Sequence, residues 1–235
     1  MAWIKKDESV EVSKELEFSN SNITETNAYE VEITECRLAN SQTQGSKSVS
    51  LVIGAKTEDD ETVRSYFTIM GKDGETYFES TVKGKKVKKQ HFGLNIANTL
   101  FKLALEKEIF DCEPSEVEFK QWNKEEKEME DATGDGFPEL IGAKVGICVQ
   151  IVKEISGADS KQYPEIKHFF DLESGLFADE DPEAKKSKLD IWLAGRKEFY
   201  VIEKEAQNKS SFGKKKSSDD GEEAPKKKSK WGKSK

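Results

Sequence analysis

Three stretches rich in apolar residues occur within the first 80 residues, and in the first of them apolar and polar residues alternate, as they do in a strand that has one buried and one solvated face. These stretches are 29–38, 49–55 and 63–70, and polar segments separate them. A hairpin turn is predicted at 71–74, because the two glycines of its Gly-Lys-Asp-Gly sequence supply positive φ angles, and residues 75–78 continue beyond it. The pattern predicts that the first 80 residues form an antiparallel meander.

The period of the apolar positions changes near residue 92. From 92 to 108 they recur at helical spacing, which predicts an amphipathic helix covering an open end or face of the sheet. The charged segment 111–138 predicts a long excursion, part helix and part mobile loop. Sharp alternation returns in 140–152, and 165–172 can pair with it as the returning strand. The apolar segment 189–202 favours neither a strand nor a helix.

This order of elements predicts a mainly β protein. We expect an OB-like antiparallel β-barrel with one or two inserted helices, because a five-stranded OB-fold places a helix between its third and fourth strands. A β-sandwich fits the same alternation. We expect an irregular N-terminal segment over residues 1–27, an OB-like nucleic-acid-binding domain over 28–205 and a disordered Lys-rich tail over 206–235.

Several classes of protein do not fit this sequence. The three cysteines include no C-x-x-C pair, so neither a disulfide framework nor a metal site is expected. No nucleophile arrangement and no phosphate-binding loop occurs, so we expect a protein that is not an enzyme and needs no cofactor. The absence of a signal peptide and of any run of about 18 apolar residues predicts a cytoplasmic protein, with no membrane partner.

Charge is distributed unevenly along the 235 residues, whose net charge is −8. Residues 206–235 contain ten lysines and four acidic residues, a net charge of +6. The first 205 residues therefore hold 28 basic and 42 acidic residues, a net charge of −14. An acidic body with a basic tail suggests two surfaces that meet different partners.

Five lysines are concentrated within residues 83–89 of this acidic body, on a glycine-containing connection that follows a strand. A solvated loop is the plain structural interpretation. The functional interpretation is a stripe that follows phosphates, because each neutralised phosphate releases a counterion and adds salt-dependent affinity. The candidate phosphate contacts are Lys83, Lys85, Lys86, Lys88 and Lys89.

Aromatic pairs lie near this lysine stripe. Because adjacent strand residues point to opposite faces, one ring of each pair can be in the core while the other faces outward. We expect Tyr66 and Tyr77 outside and Phe67 and Phe78 inside; the alternative is that all four rings are packing residues. An outward ring could stack a base for about 1–3 kcal/mol without sequence preference. Trp122 is a further stacking candidate.

The basic tail allows two functional interpretations besides solubility. Its lysines could tether nucleic acid electrostatically. Alternatively, a lysine-flanked Trp231 is a short linear motif for an acidic, apolar pocket on a partner protein. The candidate partner-binding residues are Lys226, Lys227, Lys228, Lys230, Trp231 and Lys233.

In layout, residues 28–178 resemble bacteriophage single-stranded DNA-binding proteins of the OB-fold type. The resemblance rests on the strands of 29–78, the helix after the lysine stripe, and Leu-Ile-Gly-Ala-Lys-Val-Gly at 140–146 followed by a strand that ends in Phe-Phe at 169–170. It implies a protein that coats single strands during replication and recombination in the host cytoplasm and docks partners through its C-terminus. Family members commonly end in an acidic tail with a terminal aromatic residue, whereas this tail is basic.

These observations favour sequence-nonspecific binding of single-stranded DNA, supporting phage-type DNA replication and recombination. RNA is an alternative ligand, because nothing in the sequence reads or excludes a 2′-hydroxyl. The competing hypothesis is a protein–protein adaptor, a replication or transcription factor that acts mainly through its basic tail. Under either hypothesis the tail docks replication, recombination or transcription proteins.

Overall fold

The computed structural model describes residues 22–82, 84–123, 126–156, 159–184 and 186–204. The predicted disordered tail and almost all of the predicted N-terminal segment lie outside these ranges. The strands are β1 (Asn27–Asn40), β2 (Val49–Lys56), β3 (Thr62–Met70), β4 (Tyr77–Val82), β5 (Lys85–Gln90), β6 (Ser115–Asn123), β7 (Glu128–Gly136), β8 (Lys144–Ser156), β9 (Asp159–Phe170) and β10 (Tyr200–Lys204); the helices are α1 (Phe92–Leu105) and α2 (Lys188–Gly195).

The prediction of a mainly β protein is confirmed, and its main sheet is antiparallel apart from one short edge strand. Strands β1, β2 and β3 form the predicted meander. The first half of β1 pairs with β8, which pairs with β9 on its other side. Strand β10 runs parallel to β8. β1 is therefore shared, because its second half pairs with β2 and its first half with β8.

The core lies between this sheet and helix α1. Inward residues of β2, such as Leu51 and Ile53, are fully buried, and so are Leu100 and Phe101 of the helix. Phe101 packs edge-on against Phe137, with ring centroids 4.7 Å apart. The predicted amphipathic helix is confirmed, although it ends at Leu105 rather than residue 108.

Helix α1 approaches β3 very closely at its first turn. A Cβ added to Gly93 would lie 2.6 Å from both the backbone nitrogen and the backbone oxygen of Thr68. Only glycine fits there without moving the helix. One residue, His91, joins β5 to α1: its N–H donates to the carbonyl of Thr76, and its own carbonyl accepts from the N–H groups of Leu94 and Asn95.

Strands β3 and β9 contact each other through side chains. The backbone N–H of Ile166 donates to the Ser65 hydroxyl at 2.9 Å, and the Phe67 and Phe169 rings lie 6.0 Å apart. Within the described residues, no backbone ladder joins these two strands. The described sheet is thus not closed by a backbone hydrogen-bond ladder at this position.

Two sequence predictions about local structure are wrong. Residues 111–138, predicted as part helix and part mobile loop, contain the β6–β7 hairpin. The strand beyond the 71–74 turn does not continue the meander, because β4 pairs with β5 in a separate two-stranded sheet. Both hairpins were missed because their strands are rich in charged residues. An alternating apolar pattern appears only where a strand has one buried face. The ambiguous segment 189–202 supplies most of α2 and part of β10.

Candidate nucleic-acid interface

The lysine stripe is a β-strand and not the predicted connecting loop. Lys85, Lys86, Lys88 and Lys89 belong to β5, where every residue is exposed. Lys83 lies outside the described residues. Gly84 has a φ of 77° and makes the turn from β4 to β5 possible. An extended strand sends successive side chains to opposite faces, so the four described lysines divide between two surfaces.

The β4–β5 hairpin has two faces, which the pairing register defines. Directly opposed residues of an antiparallel ladder share a face. One face, here called the Tyr77 face, carries Tyr77, Glu79, Thr81, Lys86, Lys88 and Gln90. The other, the Phe78 face, carries Phe78, Ser80, Lys85, Val87 and Lys89.

Side chains of the Tyr77 face are engaged with one another. The Lys88 ammonium donates to the Tyr77 hydroxyl at 2.9 Å and lies 4.2 Å from the centroid of its ring. This hydrogen bond raises the pKa of Lys88 above its ordinary value. Lys86 pairs with Glu79 at 3.2 Å. Two lysines are therefore already partnered, and a cation covers part of the predicted stacking ring.

The Phe78 face is open. Phe78 is 44% exposed and Val87 is 40% exposed, so the prediction that Phe78 points inward is wrong. Its physical reason is the separate pairing of β4, which leaves this face without a covering layer. Lys89 lies directly across the ladder from Phe78, and neither Lys85 nor Lys89 has an ion pair within the described residues. The His91 ring lies 5.6 Å from the Phe78 ring.

Tyr66 lies on the main sheet, apart from the lysine hairpin in strand order. We expected Phe67 to point into the core and Tyr66 to point outward. Phe67 is indeed buried in the core, and Tyr66 lies on the opposite side of β3, where it is half-buried. Burial raises the pKa of Tyr66, and the nearby Arg37 and Arg64 oppose this shift. The aromatic–basic combination around Tyr66 therefore involves arginines rather than the predicted lysines.

These arginines are held by a buried carboxylate. Glu35 accepts from the Arg37 Nε and from the Arg64 Nη2, each at 2.6 Å. Glu35 and Arg37 are each 8% exposed. The Arg37 guanidinium also lies 4.2 Å from the Phe119 ring centroid, which fixes the base of the β6–β7 hairpin against β1. Sequence reasoning missed this cluster, although Arg64 and Tyr66 share a face by their spacing of two residues.

The remaining predicted site residues are not brought to the hairpin by the described structure. Trp122 belongs to β6, opposite Met129, and its side chain is not among those described. The predicted partner-binding residues, Lys226 to Lys233, lie outside the described residues. The three cysteines are buried, and burial raises the pKa of Cys148 to about 12, so a reactive thiolate is disfavoured there.

Comparison with known proteins assigns no family to the chain, since no family model and no curated protein matches it. Among the described residues, neither helix combines the length and the apolar character that crossing a membrane requires.

Proposed function

We propose that this protein binds single-stranded DNA without sequence preference, in support of phage-type replication and recombination. The observation that carries the proposal is the Phe78 face. An exposed ring lies directly across the ladder from Lys89, and Lys85 lies farther along the same face, near the turn. Neither lysine has an ion pair within the described residues, in a body whose overall charge is negative. A base can stack on Phe78 while the two lysines contact phosphates along the same face.

The strand order supports an OB-like interpretation of the domain. If the β4–β5 and β6–β7 hairpins are treated as insertions, a meander of three strands, helix α1 and two further strands follow one another. The fourth of these five strands, β8, pairs with the first. An OB-fold is a partly open barrel, so the side-chain contact between β3 and β9 in place of a ladder is compatible with it. Such barrels bind oligonucleotides on the outer face of their second and third strands, where Tyr66 and Arg64 lie.

This proposal changes the roles of the predicted residues. Phe78 replaces Tyr77 as the main stacking ring, and Tyr77 orients Lys88. Lys85 and Lys89 make the principal phosphate contacts, while Lys86 and Lys88 contribute less because Glu79 and Tyr77 engage them. Tyr66 offers a second stacking position on the main sheet.

The test is fluorescence anisotropy with labelled oligo-dT and a matching duplex, using the full chain. Phe78→Ala should weaken binding to oligo-dT by about 1–3 kcal/mol, the usual contribution of one stacked base. Phe110→Ala is the matched control, because Phe110 is 50% exposed on a different segment and should leave affinity unchanged. Replacing Lys226, Lys227, Lys228, Lys230 and Lys233 with Gln measures the part played by the tail.

Preferential binding of the single strand that depends on Phe78 supports the proposal. Equal binding of single strand and duplex would contradict it. Loss of all binding on replacing only the tail lysines would also contradict it and would favour the adaptor hypothesis.

A further inference from the structure

Two hairpins, β4–β5 before α1 and β6–β7 after it, have opposite charge. Strands β4 and β5 contain four lysines and one glutamate. Strands β6 and β7 contain six acidic residues and one lysine. Opposed surface charges of this kind can steer and orient association between proteins.

The β6–β7 hairpin also has two faces. Its inner face carries Val117, which is buried, and Phe119, which contacts Arg37. The face that points away, here called the acidic face, is exposed throughout its described side chains. By the pairing register it carries Glu116, Glu118, Lys120, Met129, Asp131, Thr133 and Asp135.

Within the part of the chain that the structure describes, neither open face is neutralised. Lys120 pairs with Asp131 of its own hairpin, which leaves Glu116, Glu118 and Asp135 without an ion pair in the described part of the chain. On the Phe78 face, Lys85 and Lys89 likewise have no ion pair within the described residues. Each face also exposes an apolar side chain beside its charges: Met129 is 41% exposed, against 44% for Phe78. The two surfaces thus match in charge and in apolar character.

We propose that, without nucleic acid, the acidic face of one copy docks on the Phe78 face of a second copy. The role of nucleic acid here depends on the function proposed above, because a DNA strand needs the same two lysines and the same ring. Bound DNA and the acidic face of a neighbour therefore exclude one another. Self-association holds the protein in a reserve form that single-stranded DNA disperses.

Each copy carries one face of each kind, so the contact is heterologous. A heterologous contact that does not close into a ring builds open chains of molecules. Association should accordingly rise with protein concentration without a fixed end point. It should weaken as salt increases, because exposed charges are screened over about 10 Å at 0.1 M salt.

The test is sedimentation velocity of the full chain at low salt, with paired charge reversals. Glu116→Lys/Glu118→Lys gives a copy with two basic faces, and Lys85→Glu/Lys89→Glu gives one with two acidic faces. Each variant alone should associate at least about tenfold more weakly than wild type, since attraction becomes repulsion. An equal mixture of the two variants should associate again, and so should a single chain carrying all four reversals.

Matched controls change the net charge equally at other exposed positions. Glu58→Lys/Asp59→Lys is the control for the acidic face, and Lys186→Glu/Lys197→Glu is the control for the lysines. Both should associate like wild type. Recovery of association in the mixture also shows that the reversals leave the chains folded.

A mixture that fails to recover, or controls that lose association equally, would overturn the docking proposal. Adding unlabelled oligo-dT to wild type should disperse the oligomers. Oligomers that persist while DNA binds would refute mutual exclusion. Recovered docking combined with no DNA binding would instead refute the proposed function and leave the contact between copies standing.

Discussion

The main sheet and the β4–β5 hairpin are both built from antiparallel strands, yet they differ in what their side chains face. In β2, six of the eight residues from Val49 to Lys56 are buried. In β5, all six residues are exposed. The main sheet thus stabilises the fold by burying apolar surface, whereas the hairpin holds charged and aromatic groups in solvent. If the hairpin binds a ligand as proposed, stability and ligand binding are carried by separate strands.

The same substitution in the two regions should show this separation most strongly. Phe101→Ala removes a fully buried ring in contact with Phe137 and should lower the free energy of unfolding by about 3–5 kcal/mol. Phe78→Ala removes a half-exposed ring and should change it by no more than about 0.5 kcal/mol. Urea denaturation followed by circular dichroism measures both. A large loss of stability in Phe78→Ala would mean that the hairpin is a structural element instead.

A smaller effect should separate the two faces of the hairpin. Lys89→Gln should reduce the slope of log affinity for oligo-dT against log salt concentration by about 0.7, the value for one phosphate contact on a single strand. Lys86→Gln should reduce it less, because Glu79 already pairs with Lys86. Anisotropy titrations at four or more salt concentrations give both slopes. Equal reductions would show that the face of a lysine does not matter.

The smallest expected effect concerns pH and belongs to the main sheet alone. Burial lowers the pKa of His168 below its ordinary value of 6.5, and Lys167 and Lys188 add to the shift. The unfolded chain then takes up a proton at a higher pH than the folded chain, so this residue contributes stability that is lost as pH falls below about 6.5. His168→Gln should make thermal unfolding less sensitive to pH in that range. The affinity of His168→Gln for oligo-dT should depend on pH in the same way as that of the wild type.

The sequence predicted β2 and β3 well, because the burial of their side chains is visible in the residue pattern. In 63–70 the alternation of side chains reports one buried face, whereas the nearly continuous apolar run 49–55 corresponds to a strand that is buried on both faces. Both strands lie within one residue of their predicted ends. A turn is present at 71–74, where the Gly74 N–H donates to the Gly71 carbonyl and Gly74 has a φ of 80°. Gly71 does not have the predicted positive φ, and the turn is not a hairpin turn, because β4 pairs with β5 and not with β3. Local sequence was sufficient for the turn but not for the strand pairing beyond it.

The candidate site was harder to predict, because its geometry depends on pairing between strands. The lysines of β5 and their neighbouring aromatics are visible in the sequence, but their division between faces follows from the partner of β4. Once β4 pairs with β5 rather than with β3, Phe78 is open and Tyr77 is engaged by Lys88. Gly84, midway between residues 77 and 90, was the available signal for that hairpin. Nothing local could show that Glu35 would join Arg37 to Arg64.

The single-residue junction at His91 gives the hairpin an internal reporter. The amide protons of Leu94 and Asn95 are held by the carbonyl of His91, whose own N–H is held by Thr76 beside β4. Exchange of those two protons with solvent requires the junction to open. A ligand that restrains β5 therefore slows the exchange of these two protons. The first turn of α1 then reports ligand binding to the hairpin, although α1 does not contribute residues to that surface. Hydrogen–deuterium exchange can detect such binding without a label on either molecule.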